Sequence, residues 1–157
     1  MKIRSIYISP DHNYFGHHGK PPGQSETVEV EKATLVAGKG IEGDRFFDYK
    51  EAYKGQVTFF AYETFLELRE KFGVFDRDPD VFRRNILTEG TDLNSLIGKE
   101  FEVQGIRFLG EEEAKPCYWM DQAFCEGAEK ALLGKGGLRA RVLSDGVLRS
   151  DSTVAAG

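Results

Sequence analysis

Hydrophobic positions along the chain fall mostly into short alternating runs, the mark of half-buried strands. Ile3, Ile6 and Ile8 with Tyr7 make the first such run. Residues 26–37 resume strand character, with Val28 and Val30 alternating with Glu29 and Glu31. Val57, Phe59 and Phe60 predict another strand, after which the period changes. Over Tyr62–Phe72, Phe65, Leu68 and Phe72 recur at spacings of three and four, which predicts a helix that Gly73 stops. The acidic residues 76–80 read as a loop, 84–87 as a strand and 93–97 as a short helical turn. Phe101 and Val103 alternate with polar neighbours, as do Ile106 and Phe108, and Gly105 marks a bend or bulge between them. Asp121 is placed to cap a helix running toward Leu133, although Gly127 weakens its middle. Residues 138–143 predict a strand, and Asp145-Gly146 is a hairpin signal that returns through Val147 and Leu148.

Many short strands with interposed helices predict a mainly β fold, a barrel-like sheet rather than a doubly wound one. There is no internal repeat and no low-complexity tract, so residues 1–157 read as a single domain. Two segments stand apart. Residues 9–25 form a long loop punctuated by Pro10, Gly16, Gly19, Pro21, Pro22 and Gly23, and residues 150–157 read as a mobile tail.

Composition narrows the class of function. With 40% hydrophobic and 12% aromatic residues, the chain has enough apolar side chains for a packed core. A formal net charge of −5 and an isoelectric point near 5.3 argue against nucleic acid as a partner, which demands a basic face. They leave room for a local cationic pocket that takes a small anion. No apolar run reaches the roughly 20 residues that span a bilayer, so no membrane partner is expected. Two cysteines, Cys117 and Cys125, make no disulfide framework, and a cytoplasmic location with reduced thiols is expected.

Four stretches carry the chemistry: GIEGDR at 40–45, RRNI at 83–86, the Pro116-Cys117 pair, and GGLRARVLSDG at 136–146. Between the second and third lies GTDLNSLIGKEFEV at 90–103. In this order and spacing they resemble the MOSC domain, over most of the chain from about Val28 onward. That family is named for the C-terminal domain of molybdenum-cofactor sulfurases. The resemblance implies an open β-barrel similar to the β-barrel domain of pyruvate kinase. It also implies molybdopterin-bound molybdenum as cofactor and reduction of N-hydroxylated or related N–O compounds. Larger relatives add an N-terminal β-barrel or a ferredoxin domain, for which this chain has neither the length nor the cysteines. Electrons would therefore come from a separate donor protein. The chain departs from the family pattern at its last turn, where Ser150-Asp151 stands in place of Gly-Asp.

By this resemblance Cys117 is the molybdenum ligand and the catalytic residue, since a soft thiolate suits that metal. A persulfide carrier and a buried structural thiol are the other readings of the same cysteine. Cys125 has no motif around it and reads as a small, half-buried hydrophobe. For the cofactor's phosphate and pterin the expected donors are Arg84, Asn85, Arg45 and Arg139, with Gly43 and Asp44 in close backbone approach. If 83–85 begins a strand, Arg83 and Asn85 share one face and Arg84 takes the other, with Arg84 favoured for the site by resemblance. Gly43 and Asp44 read equally well as a tight turn in which Asp44 bonds local backbone, and Arg139 and Arg141 as surface ion pairs. His12, His17 and His18 in the long loop are candidates for a metal site or a lid. Pyridoxal phosphate is not expected, because no lysine stands in a motif that marks a Schiff base. The alternatives to a reductase are a carrier of the cofactor or its sulfur, and a cofactor-free barrel that binds another small anion.

Overall fold

The computed structural model describes residues 1–10 and 27–151. In chain order the strands are β1 (Lys2–Ile8), β2 (Val28–Val30), β3 (Lys32–Val36), β4 (Gly40–Ile41), β5 (Val57–Ala61), β6 (Ile86–Glu89), β7 (Glu100–Val103), β8 (Ile106–Glu113), β9 (Leu138–Val142) and β10 (Gly146–Arg149). The helices are α1 (Tyr62–Phe72), α2 (Trp119–Ala123) and α3 (Ala128–Ala131), with 3-10 turns at Pro79–Phe82 and Leu93–Leu96.

Seven strands pair in the order β2-β1-β6-β5-β9-β8-β7, and three more in the order β10-β3-β4. Among the described strands β5 and β6 are the one parallel pair, which requires the crossover through α1. The central strands are buried on both faces. Val57 and Phe59 of β5 enter a core shared with Ile3, Leu35, Ile86, Phe108, Leu138 and Leu148, between the two sheets. Phe60 points the other way, into a cluster with Phe65, Leu68, Phe82, Trp119, Met120 and Phe124 beneath the helices. Runs such as Val57-Thr58-Phe59-Phe60 therefore lack the strict alternation of a half-exposed strand.

The mainly β expectation with interposed helices holds; the barrel does not close by strand pairing among the described residues. The large sheet ends at β2 and β7. Side-chain amides bridge the two sheets instead. The buried Gln56 donates from Nε2 to the Gly38 carbonyl (3.1 Å) and accepts at Oε1 from the Val142 amide (2.9 Å). Gln104 does the same across β10, donating to the Arg149 carbonyl (2.7 Å) and accepting from its amide (2.9 Å).

Several expectations are corrected. Residues 27–36 are not one strand: β2 pairs with β1 and β3 pairs with β10 in the other sheet. Asp145-Gly146 makes no hairpin, because β9 pairs with β5 and β8 while β10 pairs with β3. Asp145 Oδ1 instead accepts from the Ala37 amide (2.7 Å). The helix of 121–133 is broken in two at Gly127 (φ 95°), and Asp121 caps the second piece by accepting from the Glu129 amide (2.8 Å). The strand expected at 84–87 starts only at Ile86. At the start of the expected tail, Ser150 is buried, its amide bonds the Glu31 carbonyl, and Asp151 accepts from the Ile3 amide, while 152–157 lie outside the described residues. Ser9 Oγ lies 3.0 Å from Thr27 Oγ1. His12, His17 and His18 lie outside the described residues.

Candidate functional site

A cleft of about 490 Å³ opens on the helix-side face of the large sheet. Its floor comes from β5 and β9, which pair Thr58 with Arg139. Leu138, Ala140 and Val142 face the core between the sheets, so the alternating Arg139 and Arg141 face outward. On the neighbouring β8, the register shifts between Gly110 and Glu112. This bulge lets two consecutive glutamates reach arginines on the same face. Glu111 lies 2.8 Å from Arg141 Nε, and Glu112 Oε1 accepts from Arg139 Nη1 at 2.6 Å. Arg139 lines the cleft and Arg141 does not. The Arg139 guanidinium lies over Gly55, where a Cβ would stand 2.8 Å from Nε, and 5.2 Å from the centroid of the Tyr53 ring.

The geometry of Arg83, Arg84 and Asn85 differs from the strand expectation, and the difference decides what each can do. Pro79 opens a 3-10 turn that ends at Arg83 in the left-handed region (φ 59°), and Arg84 and Asn85 follow before β6 begins. The rule that neighbours alternate faces does not apply, and all three residues line the cleft. Arg83 is buried with its guanidinium 5.1 Å from the Trp119 ring centroid. Arg84 donates from Nε to the Gly136 carbonyl (2.9 Å) and from Nη2 to the carbonyls of Ala114 (2.9 Å) and Lys115 (3.3 Å). Burial pulls the Arg84 pKa down to about 10; Cys117 and Glu113 favour its charge, while Arg45 and Arg139 oppose it.

Asn85 is buried and fully bonded. Its Oδ1 accepts from the Thr58 amide (3.0 Å) and hydroxyl (3.1 Å), and its Nδ2 donates to the Tyr7 carbonyl (3.1 Å) and Asp44 Oδ1 (3.3 Å). Asp44, also buried, accepts from the amides of Ser9 (2.9 Å) and Phe46 (3.2 Å). Asp44 and Gly43, whose φ is 87°, stand behind the cleft wall, and the turn they make presents Arg45 to the cleft. Arg45 lies over the Phe46 ring, 4.7 Å from its centroid.

Cys117 is exposed and lines the cleft, two residues beyond the Lys115 carbonyl that Arg84 holds. Cys125 packs at the edge of the aromatic cluster under the helices, away from this wall. Around Cys117 the lining carries five cations, Arg45, Arg83, Arg84, Lys115 and Arg139, against Glu112 and Glu113. A locally cationic cleft thus stands in a chain of net charge −5. A soft thiol beside forked cations suits an anionic group ligated through sulfur. Among the described residues no cluster of three or more His, Cys, Asp or Glu is arranged to hold a metal by itself. Sequence reasoning did not find Tyr53, Thr58, Glu112 and Trp119. The bulge in β8 that turns Glu112 into the cleft leaves no local signal in the sequence.

The family model for the MOSC domain matches residues 17–155. The chain belongs to the MOSC family. MOSC domains are associated with the molybdenum cofactor, which agrees with a cleft holding a thiol among cations. The fold is similar to that of the YuaD protein of Bacillus subtilis, with a TM-score of 0.73 at 22% identity over 95% of this chain and 91% of that one. It is also similar to YiiM of Geobacillus stearothermophilus (TM-score 0.68, 18% identity, 94% of this chain, 70% of that one). YiiM of Escherichia coli gives 0.64 and 19%, over 96% of this chain and 67% of that one. At these identities the likeness establishes the fold. No curated protein matches the sequence. No helix among the described residues is long and apolar enough to cross a membrane.

Proposed function

We propose that this MOSC domain binds a molybdopterin-type molybdenum cofactor in the cleft and acts as an oxidoreductase on N-hydroxylated or related N–O compounds. The observation that carries the reading is the Cys117 thiol in one cleft lining with Arg45, Arg84 and Arg139. In this reading Cys117 ligates the metal. Arg45, Arg139 and the Nη1 edge of Arg84 hold the phosphate by charge-assisted bonds, and Arg84's other donors face backbone. Gly43 and Asp44 act from behind and Asn85 from the lining itself, fixing the Arg45 turn against β1 and β5. Once bound, the cofactor supplies two-electron chemistry at the N–O bond, with electrons from a separate donor protein and the oxygen leaving as water. The cytoplasm, with its reduced thiols, is the location this chemistry favours.

The exposure of Cys117 supports a second reading, a carrier that hands the cofactor or its sulfur to another protein. The two separate in one assay. Protein loaded with cofactor should reduce an amidoxime or N-hydroxylated base when given an artificial electron donor. Loaded protein that leaves these substrates intact, yet activates an apo-molybdoenzyme, would establish the carrier and refute the reductase.

A further inference from the structure

The segments that flank Cys117 meet in an unusually tight crossing. The Ala114 amide bonds the Gly137 carbonyl at 2.9 Å, and the Gly136 amide bonds Glu113 Oε2 at 3.2 Å. At Gly136 a Cβ would collide with the Ala114 carbonyl oxygen and stand 2.9 Å from Pro116 Cδ, so the two backbones approach as only glycine permits. Arg84 lies across this crossing. Its Nε reaches one segment at Gly136, and its Nη2 reaches the other at Ala114 and Lys115. Pro116, with its fixed φ, is the single residue between that grip and Cys117.

We propose that Arg84 is the positioning residue of Cys117: its fork straps the segment before the cysteine to the Gly136 turn, and so fixes where the thiol stands in the cleft. The role deepens the cofactor reading, in which Cys117 is the ligand, but it acts through backbone and is present without cofactor. A planar fork is required, because one donor edge must reach two segments at once. Lysine keeps the charge and loses the bridge. The low pKa of Arg84 agrees with a guanidinium drawn into this buried crossing.

The test uses cofactor-free full-length protein with Cys125→Ser, so that Cys117 is the remaining thiol. Two quantities are read: amide hydrogen exchange, and the rate of iodoacetamide alkylation at Cys117 at one fixed pH. Arg84→Lys and Arg84→Gln should both speed exchange at Ala114 and Gly136 by about tenfold to a hundredfold. The amides of β5 and β9 should keep their protection. Gly136→Ala, which forces the same segments apart and leaves the Arg84 side chain unchanged, should reproduce that local loss. Both variants should change the rate at which Cys117 is alkylated, because the thiol no longer stands where the strap held it, and Arg84→Lys, which keeps the charge, should not restore the wild-type rate. Wild-type protection at Ala114 in Arg84→Lys would overturn the strap. So would a wild-type alkylation rate in both variants, or a loss of protection spread through the whole sheet, which would make Arg84 a general fold residue. None of these readouts needs molybdenum, so a failure here and a failure of cofactor binding are told apart.

Discussion

Arg139 shows how one side chain in the cleft is tuned by three neighbours. Glu112 holds its Nη1, Tyr53 offers a ring face, and Gly55 makes room for the guanidinium. Arg139→Lys keeps the charge but gives up the fork and the stacking. A charge-assisted bond contributes about 1.5–3 kcal/mol, so cofactor affinity should fall by roughly tenfold to a hundredfold. Glu112→Gln should act in the opposite direction, since it removes an internal carboxylate that competes for the same guanidinium. Both partners are partly exposed, and such pairs contribute only about 0.2–1 kcal/mol. A gain in affinity of up to about fivefold is therefore expected. Titration of the cofactor into the two variants and the wild type checks both signs. If Glu112→Gln weakens binding, the glutamate is helping the ligand rather than competing with it.

At the scale of elements, Asn85 joins three pieces of chain: β1 at Tyr7, β5 at Thr58 and the turn at Asp44. Asn85→Ala leaves several buried polar groups without a partner and should destabilise the fold by about 2–4 kcal/mol, read as a lower urea midpoint. A loss below about 0.5 kcal/mol would show that the joint is not needed. Elements whose information is local were legible in the sequence. The 3.6-residue period gave α1 with its Gly73 stop, and alternation gave β7, β8 and β9. What long-range pairing decides was not legible. Nothing near Asp145 says that β10 will leave β9 and pair with β3, and nothing near Glu111 announces the bulge in β8. For the site, the order of the motifs pointed to Cys117 and the arginines, and the structure gathers Cys117, Arg45, Arg84 and Arg139 around one cleft. The facing of Arg83, Arg84 and Asn85 was misread because a boundary shift of two residues replaced strand alternation with an irregular segment. An error of that size is ordinary for element ends and decisive for side-chain direction.

On the whole-molecule scale, the two cores give the protein a stability that depends on pH at the alkaline end. The phenol of Tyr7 is buried among the aromatics under the helices, and this burial, offset in part by Ser5 and reinforced by Glu29, pushes its pKa up to about 12. An acid held neutral by the fold contributes stability that is complete below its ordinary value of 10 and is lost as pH rises toward the raised value. In thermal unfolding between pH 10 and 12 the wild type should therefore lose stability relative to Tyr7→Phe, while the lowered pKa of Arg84 acts the other way in both proteins. An equal slope in the two proteins would remove Tyr7 from the account. The central claim, that this domain holds molybdenum through Cys117, is tested most directly by metal content. Wild type, Cys117→Ser and Cys125→Ser should be purified from one molybdenum-replete host that makes the cofactor. Molybdenum should approach one per chain in the wild type and in Cys125→Ser, and be largely lost in Cys117→Ser. Equal molybdenum in all three proteins, or none in the wild type, would contradict it.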